Sequence, residues 1–207
     1  MAHPISKEKL AERCVRIVNA GKDVVENKVT IQDAMLAVAQ ARDQAVLEVI
    51  SARKSVGEHD VPFDLLTEKT IPATPNKGHH VAHLPTRGLS ILSHNMGIFA
   101  VFPESDPSEE IFPVSNNHQR LYSRQPALNM EGVVFYVPFQ QRITIYNLPS
   151  DQECPIIVQY FQAGEDFEDD EFFCIAPEMQ DNVVRKALEI LGIQEQATED
   201  FATDSRG

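Results

Sequence analysis

Three histidines that lie close together are the residues whose spacing first suggests chemistry. His79, His80 and His83 fall within five residues, and three imidazoles can bind a transition metal if the backbone curls into a turn. The segment lacks the H-E-x-x-H spacing of helical zinc sites, and neither a carboxylate nor a cysteine lies close in sequence. The three side chains are therefore weak metal-ligand candidates, and exposed or interface histidines are the favoured interpretation.

A second candidate is the acidic run that starts after Gly164. Its carboxylates are Glu165, Asp166, Glu168, Asp169, Asp170 and Glu171. A calcium loop of the EF-hand type needs carboxylates at alternate positions before a glycine and a bidentate glutamate further on, and this run lacks that spacing. The run predicts a solvated loop without a metal, and we expect no cofactor elsewhere in the chain.

Motifs of covalent and phosphate chemistry are missing from the sequence. There is no G-x-S-x-G nucleophile elbow, and the glycines at positions 78, 88, 97 and 132 are isolated turn residues, not a phosphate loop. Cys14, Cys154 and Cys174 are widely spaced without any C-x-x-C, which favours free thiols in a reducing compartment. We predict no catalytic residue and a non-enzymatic protein.

The charge balance limits the classes of partner. The chain has 31 acidic and 18 basic side chains, a net charge of −13. The affinity of proteins for nucleic acids comes largely from Lys and Arg side chains that contact phosphates, so we expect no tight binding of DNA. An acidic wall nevertheless lets DNA slide past, because it repels the phosphates. The polar start at Met1–Lys9 and the lack of an apolar run of about 20 residues predict a soluble protein made in a cytoplasm, with no membrane partner.

Short strands make up most of the secondary structure predicted around these residues. Apolar and β-branched runs recur about every ten residues between Leu84 and Phe161, separated by Gly, Pro and Asn. The predicted strands are Leu89–Leu92, Ile98–Phe102, Ile111–Val114, Leu121–Tyr122, Val133–Val137, Arg142–Tyr146 and Pro155–Phe161. This spacing, without βαβ alternation, predicts an α+β protein with an antiparallel β-sandwich or barrel core.

Two helices are predicted before the strands, as an N-terminal helical hairpin. Ser6 is a predicted N-cap for a first helix that ends before Gly21, and Thr30 with Asp33 forms a capping arrangement for a second helix, Ile31–Lys54. The second helix is alanine-rich and carries apolar residues on two faces, so it packs either on its own domain or on a neighbouring subunit. Its subunit-contact candidates are Met35, Val38, Arg42, Val49 and Arg53.

The remaining segments complete the predicted domain organisation. Residues 1–56 form the helical region and residues 57–83 an extended arm with at most one short strand near Asp64–Thr70. Residues 84–175 form the β-core and residues 176–193 a C-terminal helix, which opens at Pro177 and ends at Gly192. Residues 194–207 are an acidic tail.

The order of these features resembles a known group of proteins. Leu84-Pro85 leads to Asn95–Val101, the strand series follows, and an acidic loop precedes a helix opening at Pro177-Glu178. This order is similar to the head-to-tail connector and neck ring proteins of tailed bacteriophages, particularly crAss-like and related short-tailed phages. The resemblance covers roughly residues 84–192 and is carried by strand order, not by a sharp motif.

The resemblance implies a virion structural protein without an active site. About twelve copies would form a ring beneath the portal protein, contact other neck and tail proteins, and line a channel through which DNA passes without specific binding. The acidic run at 165–171, or the acidic tail, would then face the channel. Two alternatives stay open: a host- or glycan-binding β-sandwich module, disfavoured because the chain has no Trp and four Tyr, and a metal-dependent hydrolase using the three histidines.

Overall fold

The computed structural model describes residues 5–20, 29–55, 61–89, 97–114, 133–139, 141–149 and 152–192. The chain divides into two compact units. The first unit comprises residues 1–45 and 168–207, and the second comprises residues 46–167. The fold is α+β: helices near both ends of the chain flank, in sequence, a nearly closed, barrel-like sheet of seven strands, which confirms the predicted class.

The helices begin where their capping residues predict. Helix α1 spans Lys7–Ala20, and the Lys9 N–H donates to Ser6 Oγ at 3.4 Å. Helix α2 spans Ile31–Ser55, and its first turn is closed reciprocally. The Asp33 N–H donates to Thr30 Oγ1 and the Thr30 N–H donates to Asp33 Oδ2, both at 3.1 Å. Two of the donors that a helix start leaves without an intrahelical partner are satisfied in this way.

The C-terminal helix is also at its predicted place. A 3₁₀ turn at Pro177–Met179 leads into helix α3, Gln180–Ile190, whose apolar stripe of Val183, Ala187 and Leu188 is buried. Gly192 follows the helix with a φ of 73°, the left-handed conformation expected of a C′ residue. In the part of the chain that the structure describes, no helix combines the length and the apolar character needed to cross a membrane.

The seven strands form one sheet in the order β3-β7-β1-β2-β6-β5-β4. Their bounds are β1 Thr67–Asn76, β2 His79–His83, β3 Ile98–Pro103, β4 Phe112–Pro113, β5 Phe135–Phe139, β6 Arg142–Tyr146 and β7 Cys154–Tyr160. All neighbours pair antiparallel except β4 and β5, which run parallel over two residue pairs. A backbone hydrogen bond links the two ends of the sheet, so that the sheet is nearly closed. In this bond the Ile111 N–H, next to β4, donates to the Val101 carbonyl of β3 at 2.8 Å.

The predicted extended arm over residues 57–83 is wrong beyond Thr70, because the short strand predicted near Asp64–Thr70 is the start of a longer strand that begins at Thr67. Strands β1 and β2 occupy this stretch and lie in the middle of the sheet. β1 pairs with β7 over its first seven residues and with β2 over its last three, so it links two parts of the sheet. Pro72 lies where β1 has a partner on one side only, and a residue without an N–H is tolerated in such a position.

The core of the second unit fills one face of this sheet. Its buried side chains come from six of the seven strands and from the flanking residues Leu84 and Ile111. They are Ile71, Ala73, Ala82, Ile98, Val101, Tyr136, Ile143, Ile145, Ile156, Val158 and Tyr160, and most alternate along their strands. The strands predicted near residues 133–137 and 155–161 begin two residues later and one residue earlier than predicted, respectively. Leu121–Tyr122, Ser90–Leu92 and the tail at 194–207 lie outside the described residues.

Candidate functional site

A cavity of about 590 Å³ lies at one end of the barrel-like sheet. Its walls come from the end of β3, the loop to β4, the segments next to β5 and β6, and the start of β7. The apolar part of the lining consists of Pro103, Ile111, Phe112, Val133, Val134, Leu148, Pro149, Pro155 and Ile156. A cavity of this size with a mainly apolar wall is typical of binding sites.

The polar part of the lining is anionic. Glu104, Asp106, Glu109 and Glu110 all lie on the loop between β3 and β4 and are exposed. Asp106 also shapes that loop, because the Ser108 N–H and Oγ–H both donate to its Oδ1, at 3.1 and 2.5 Å. These hydrogen bonds lower the pKa of Asp106 below the usual carboxyl value, so this side chain is charged at neutral pH.

The loop is held over the end of the sheet by backbone hydrogen bonds at its two ends. The Glu104 N–H donates to the Pro155 carbonyl at 3.1 Å, and the Ile111 N–H donates to Val101 as described above. Just beneath, Tyr136 belongs to the core and is only 1% exposed. Burial, together with the charge of Glu110, raises the pKa of Tyr136, so the phenol stays protonated. The backbone of the loop is therefore anchored at both ends, and it places the four carboxylates around the mouth of the pocket.

The three histidines do not converge on one point. They lie on β2, where successive side chains alternate between the two faces, and His79 and His83 are about 13 Å apart along the strand. His80 is buried and its Nε2 lies 3.0 Å from the Gln152 carbonyl oxygen. His83 is exposed. The weak metal-site hypothesis required these histidines to lie in a turn, whereas the structure places them on a strand.

His79 instead joins an aromatic row across the outer face of the sheet. Its ring centroid lies 5.5 Å from that of Tyr146, which stacks on Phe135 at 4.9 Å. These residues are direct cross-strand partners on β2, β6 and β5. Four positions further along these strands, the Arg142 guanidinium lies 5.6 Å from the ring centroid of its partner Phe139. These cross-strand ring contacts give His79 a packing role in the aromatic row.

The acidic run is partly neutralised by cations of its own chain. In the second unit, Arg87 contacts Asp166 through both Nε and Nη2, at 3.1 and 2.8 Å, and Glu165 through Nη2 at 3.1 Å. In the first unit, Lys7 Nζ lies 3.0 Å from Asp169 Oδ1. Glu165, Asp166 and Asp169 therefore have structural roles in holding neighbouring segments. Glu168 and Asp170 are exposed.

The subunit-contact candidates on α2 do not share one surface. Val38 and Arg42 are fully buried within the chain, so their assignment as subunit contacts is wrong. The Arg42 guanidinium donates to the Cys174 carbonyl at 3.2 Å and pairs with Asp43 at 3.0 Å. Met35, Val49 and Arg53 are partly exposed. The most exposed large apolar side chain of the helix is Leu36, at 51%, which the sequence analysis did not select.

Sequence reasoning also missed the pocket. It recognised residues 103–110 as a loop from their prolines, serines and carboxylates, but it had no means of placing that loop against Val133, Leu148 and Pro155. The one available signal was the coincidence of four carboxylates in seven residues, and an acidic loop by itself is usually only solvated.

Comparisons with known proteins add no identification, because no family model matches the chain and no curated protein matches it.

Proposed function

We propose that this chain is a non-enzymatic structural protein of a tailed-phage virion, which forms an oligomeric ring in the neck between the portal protein and the tail. About twelve copies would line the channel through which DNA passes. The resemblance in strand order supports this proposal, and so does a β-scaffold of the kind that a ring subunit needs.

The observation that carries the proposal is a set of strongly exposed phenylalanines on the second unit. Phe63 and Phe139 expose 77% and 49% of their surface. Aromatic side chains are enriched at protein interfaces, where their apolar area is removed from water. A ring whose heterologous contacts cover such side chains on every copy would bury them throughout the assembly.

The acidic character supports the channel assignment. The net charge of −13 opposes tight phosphate binding, and Glu168 and Asp170 expose carboxylates in the run predicted to face the channel. For the helix, Leu36 replaces Val38 and Arg42 as the proposed contact residue, because a side chain must be exposed on the free subunit to reach another copy.

The test is the mass of the assembly. The purified chain is measured by mass photometry alone and after co-expression with the portal protein encoded in the same genome. We expect a ring, formed alone or on the portal, with a stoichiometry near twelve. The variant Phe63→Ser/Phe139→Ser should assemble poorly while remaining folded by circular dichroism.

The matched control is Thr70→Ser/Gln141→Ser, which changes two exposed polar side chains of the same unit and should assemble normally. A chain that stays monomeric in both preparations would contradict the proposal. Equal assembly of the phenylalanine variant and the control would remove the observation that carries it.

A further inference from the structure

The pocket at the end of the sheet combines two properties that the ring proposal does not use. Its wall is apolar and offers about 590 Å³, enough for two or three large side chains. Part of that wall is open to solvent, since Phe112 is 65% exposed and Val133 is 47% exposed. An occupant that brings apolar side chains would remove this surface from water.

The charge around the pocket has one sign. Among the described residues that line it, none is lysine, arginine or histidine, whereas four are carboxylates. Glu104, Glu109 and Glu110 form no ion pair with any residue that the structure describes. Their charge is therefore available to cations from outside the described part of the chain.

The positions of the carboxylates indicate what kind of cation fits. They are spread along the seven residues from Glu104 to Glu110, held by the Asp106–Ser108 turn and by the backbone bonds of Glu104 and Ile111. A single small amine reaches one or two of them. A polypeptide that carries cations on both sides of an apolar side chain reaches several of them while its apolar group fills the cavity.

We propose that this pocket docks a segment of a partner polypeptide in which one or more large apolar side chains are flanked by arginine or lysine. The apolar side chains enter the cavity between Val133, Leu148 and Pro155, and the cations contact the glutamates of the β3–β4 loop. The site belongs to the single chain and does not require a ring. The docking proposal and the proposed neck function can therefore be tested independently.

The experiment is a selection from a library of random nine-residue peptides displayed on a carrier, with the full-length chain immobilised. We expect enrichment of sequences in which an aromatic or aliphatic residue lies between Arg or Lys residues. Synthetic copies of these peptides should bind in solution, and their affinity should fall as the salt concentration rises.

Two variants test the two halves of the site. Glu104→Gln/Glu109→Gln/Glu110→Gln keeps the shape of the loop and removes three charges, so the selected peptides should bind at least about tenfold more weakly. Val133→Phe keeps the charges and fills part of the cavity, and it should weaken binding by a similar factor. The control Glu168→Gln/Glu178→Gln/Glu189→Gln removes the same charge from exposed positions outside the pocket and should bind as the wild type does.

Four results would overturn the proposal. The selection could give no enriched peptides, or enriched peptides without flanking cations. The triple glutamine variant of the loop could bind the peptides as tightly as the control does. Val133→Phe, folded by circular dichroism, could leave the affinity unchanged. Peptide binding by a chain that never forms a ring would support the docking site and contradict only the neck proposal.

Discussion

At the residue scale, Arg42 shows how a charged side chain becomes part of a core. Its guanidinium is buried, satisfied partly by the Cys174 carbonyl and by Asp43, and it lies 6.0 Å from the ring centroid of Phe173. Burial lowers the pKa of Arg42, and the charge of Asp43 opposes that shift. A long alkyl stem and a planar, weakly hydrated head make Arg the cation best suited to this position.

Replacing Arg42 should therefore affect folding. We expect Arg42→Ala to lower the free energy of unfolding by about 3 kcal/mol, because it removes buried packing and leaves the Cys174 carbonyl without one donor. Urea denaturation measures the change. Exposed Arg16→Ala serves as the control and should lie within about 0.5 kcal/mol of the wild type. A fully stable Arg42→Ala protein with defective assembly would restore this residue as a subunit contact.

The Arg87–Asp166 pair predicts a pH dependence. The hydrogen bond from the Arg87 guanidinium lowers the pKa of Asp166, with burial acting in the opposite direction and the Arg87 N–H, at 2.6 Å, contributing further. A carboxyl whose pKa is lower in the folded state stabilises the protein above its unfolded pKa of about 3.9, and this stabilisation is lost as the pH falls through the folded value.

Asp166→Asn should consequently lower the melting temperature by about 2 °C near pH 7. The difference from the wild type should shrink as the pH falls through the lowered folded-state pKa of Asp166, because the wild-type carboxyl is then also protonated. Thermal melts followed by circular dichroism over a series of acidic pH values measure this. A difference that stays constant or grows toward acid would show that the pair does not act through its charge.

At the element scale, the β1–β2 hairpin depends on its two turn residues. Asn76 pairs with His79, which leaves Lys77 and Gly78 as a two-residue loop, and both have positive φ, 48° and 84°. Type I′ turns need this conformation at both central positions, since it matches the twist of the strands. Glycine adopts it without cost and asparagine tolerates it, whereas lysine does so less readily.

Substitutions at the two turn positions should therefore change the free energy of unfolding in opposite directions. We expect Lys77→Asn to raise the free energy of unfolding by about 0.5 kcal/mol, and Gly78→Ala to lower it by about 1 kcal/mol, although a Cβ at position 78 would meet no other atom. Urea unfolding of the two variants measures both effects. Equal effects of the two substitutions would argue against a type I′ turn.

Helix α2 predicts a contrast between two faces of one element. Val38 is fully buried and Leu36 is 51% exposed. We expect Val38→Asp to lower the free energy of unfolding by about 4 kcal/mol, because it buries a carboxylate, and Leu36→Asp to change it by less than about 0.5 kcal/mol. Chemical denaturation gives both values, and mass photometry shows whether Leu36→Asp impairs assembly instead. A tolerated Val38→Asp would contradict the buried position of that side chain.

At the scale of the whole molecule, net charge governs how copies meet. Each copy carries −13, so association of identical chains brings like charges together. Raising the salt concentration from about 0.05 to about 0.5 M shortens the Debye length from roughly 14 to roughly 4 Å and screens this repulsion.

We therefore expect self-association to strengthen with salt, whereas binding of cationic peptides at the pocket should weaken. Mass photometry at both salt concentrations, with a peptide titration in parallel, measures the two trends. Self-association that falls with salt would indicate that attractive charge pairs, not the exposed phenylalanines, hold the copies together.

The sequence alone was sufficient for features whose physical cause is local. The caps at Ser6 and at Thr30–Asp33, the end of α3 at Gly192 and strand β6 were predictable, because the hydrogen bonds and the alternation that define them involve residues a few positions apart. The α+β class followed from the same local patterns.

Tertiary structure alone decided the centre of the sheet and the pocket. Strand β1 has prolines and exposed residues that are typical of a loop, and it becomes a strand because β7, more than 80 positions away, supplies its hydrogen-bonding partners from Thr67↔Tyr160 to Ala73↔Cys154. In the same way, Arg42 is buried by residues near Cys174, and the acidic loop becomes a pocket wall only beside distant apolar segments. Pairing and burial between distant parts of a chain depend on the closed fold, and local spacing carries little information about them.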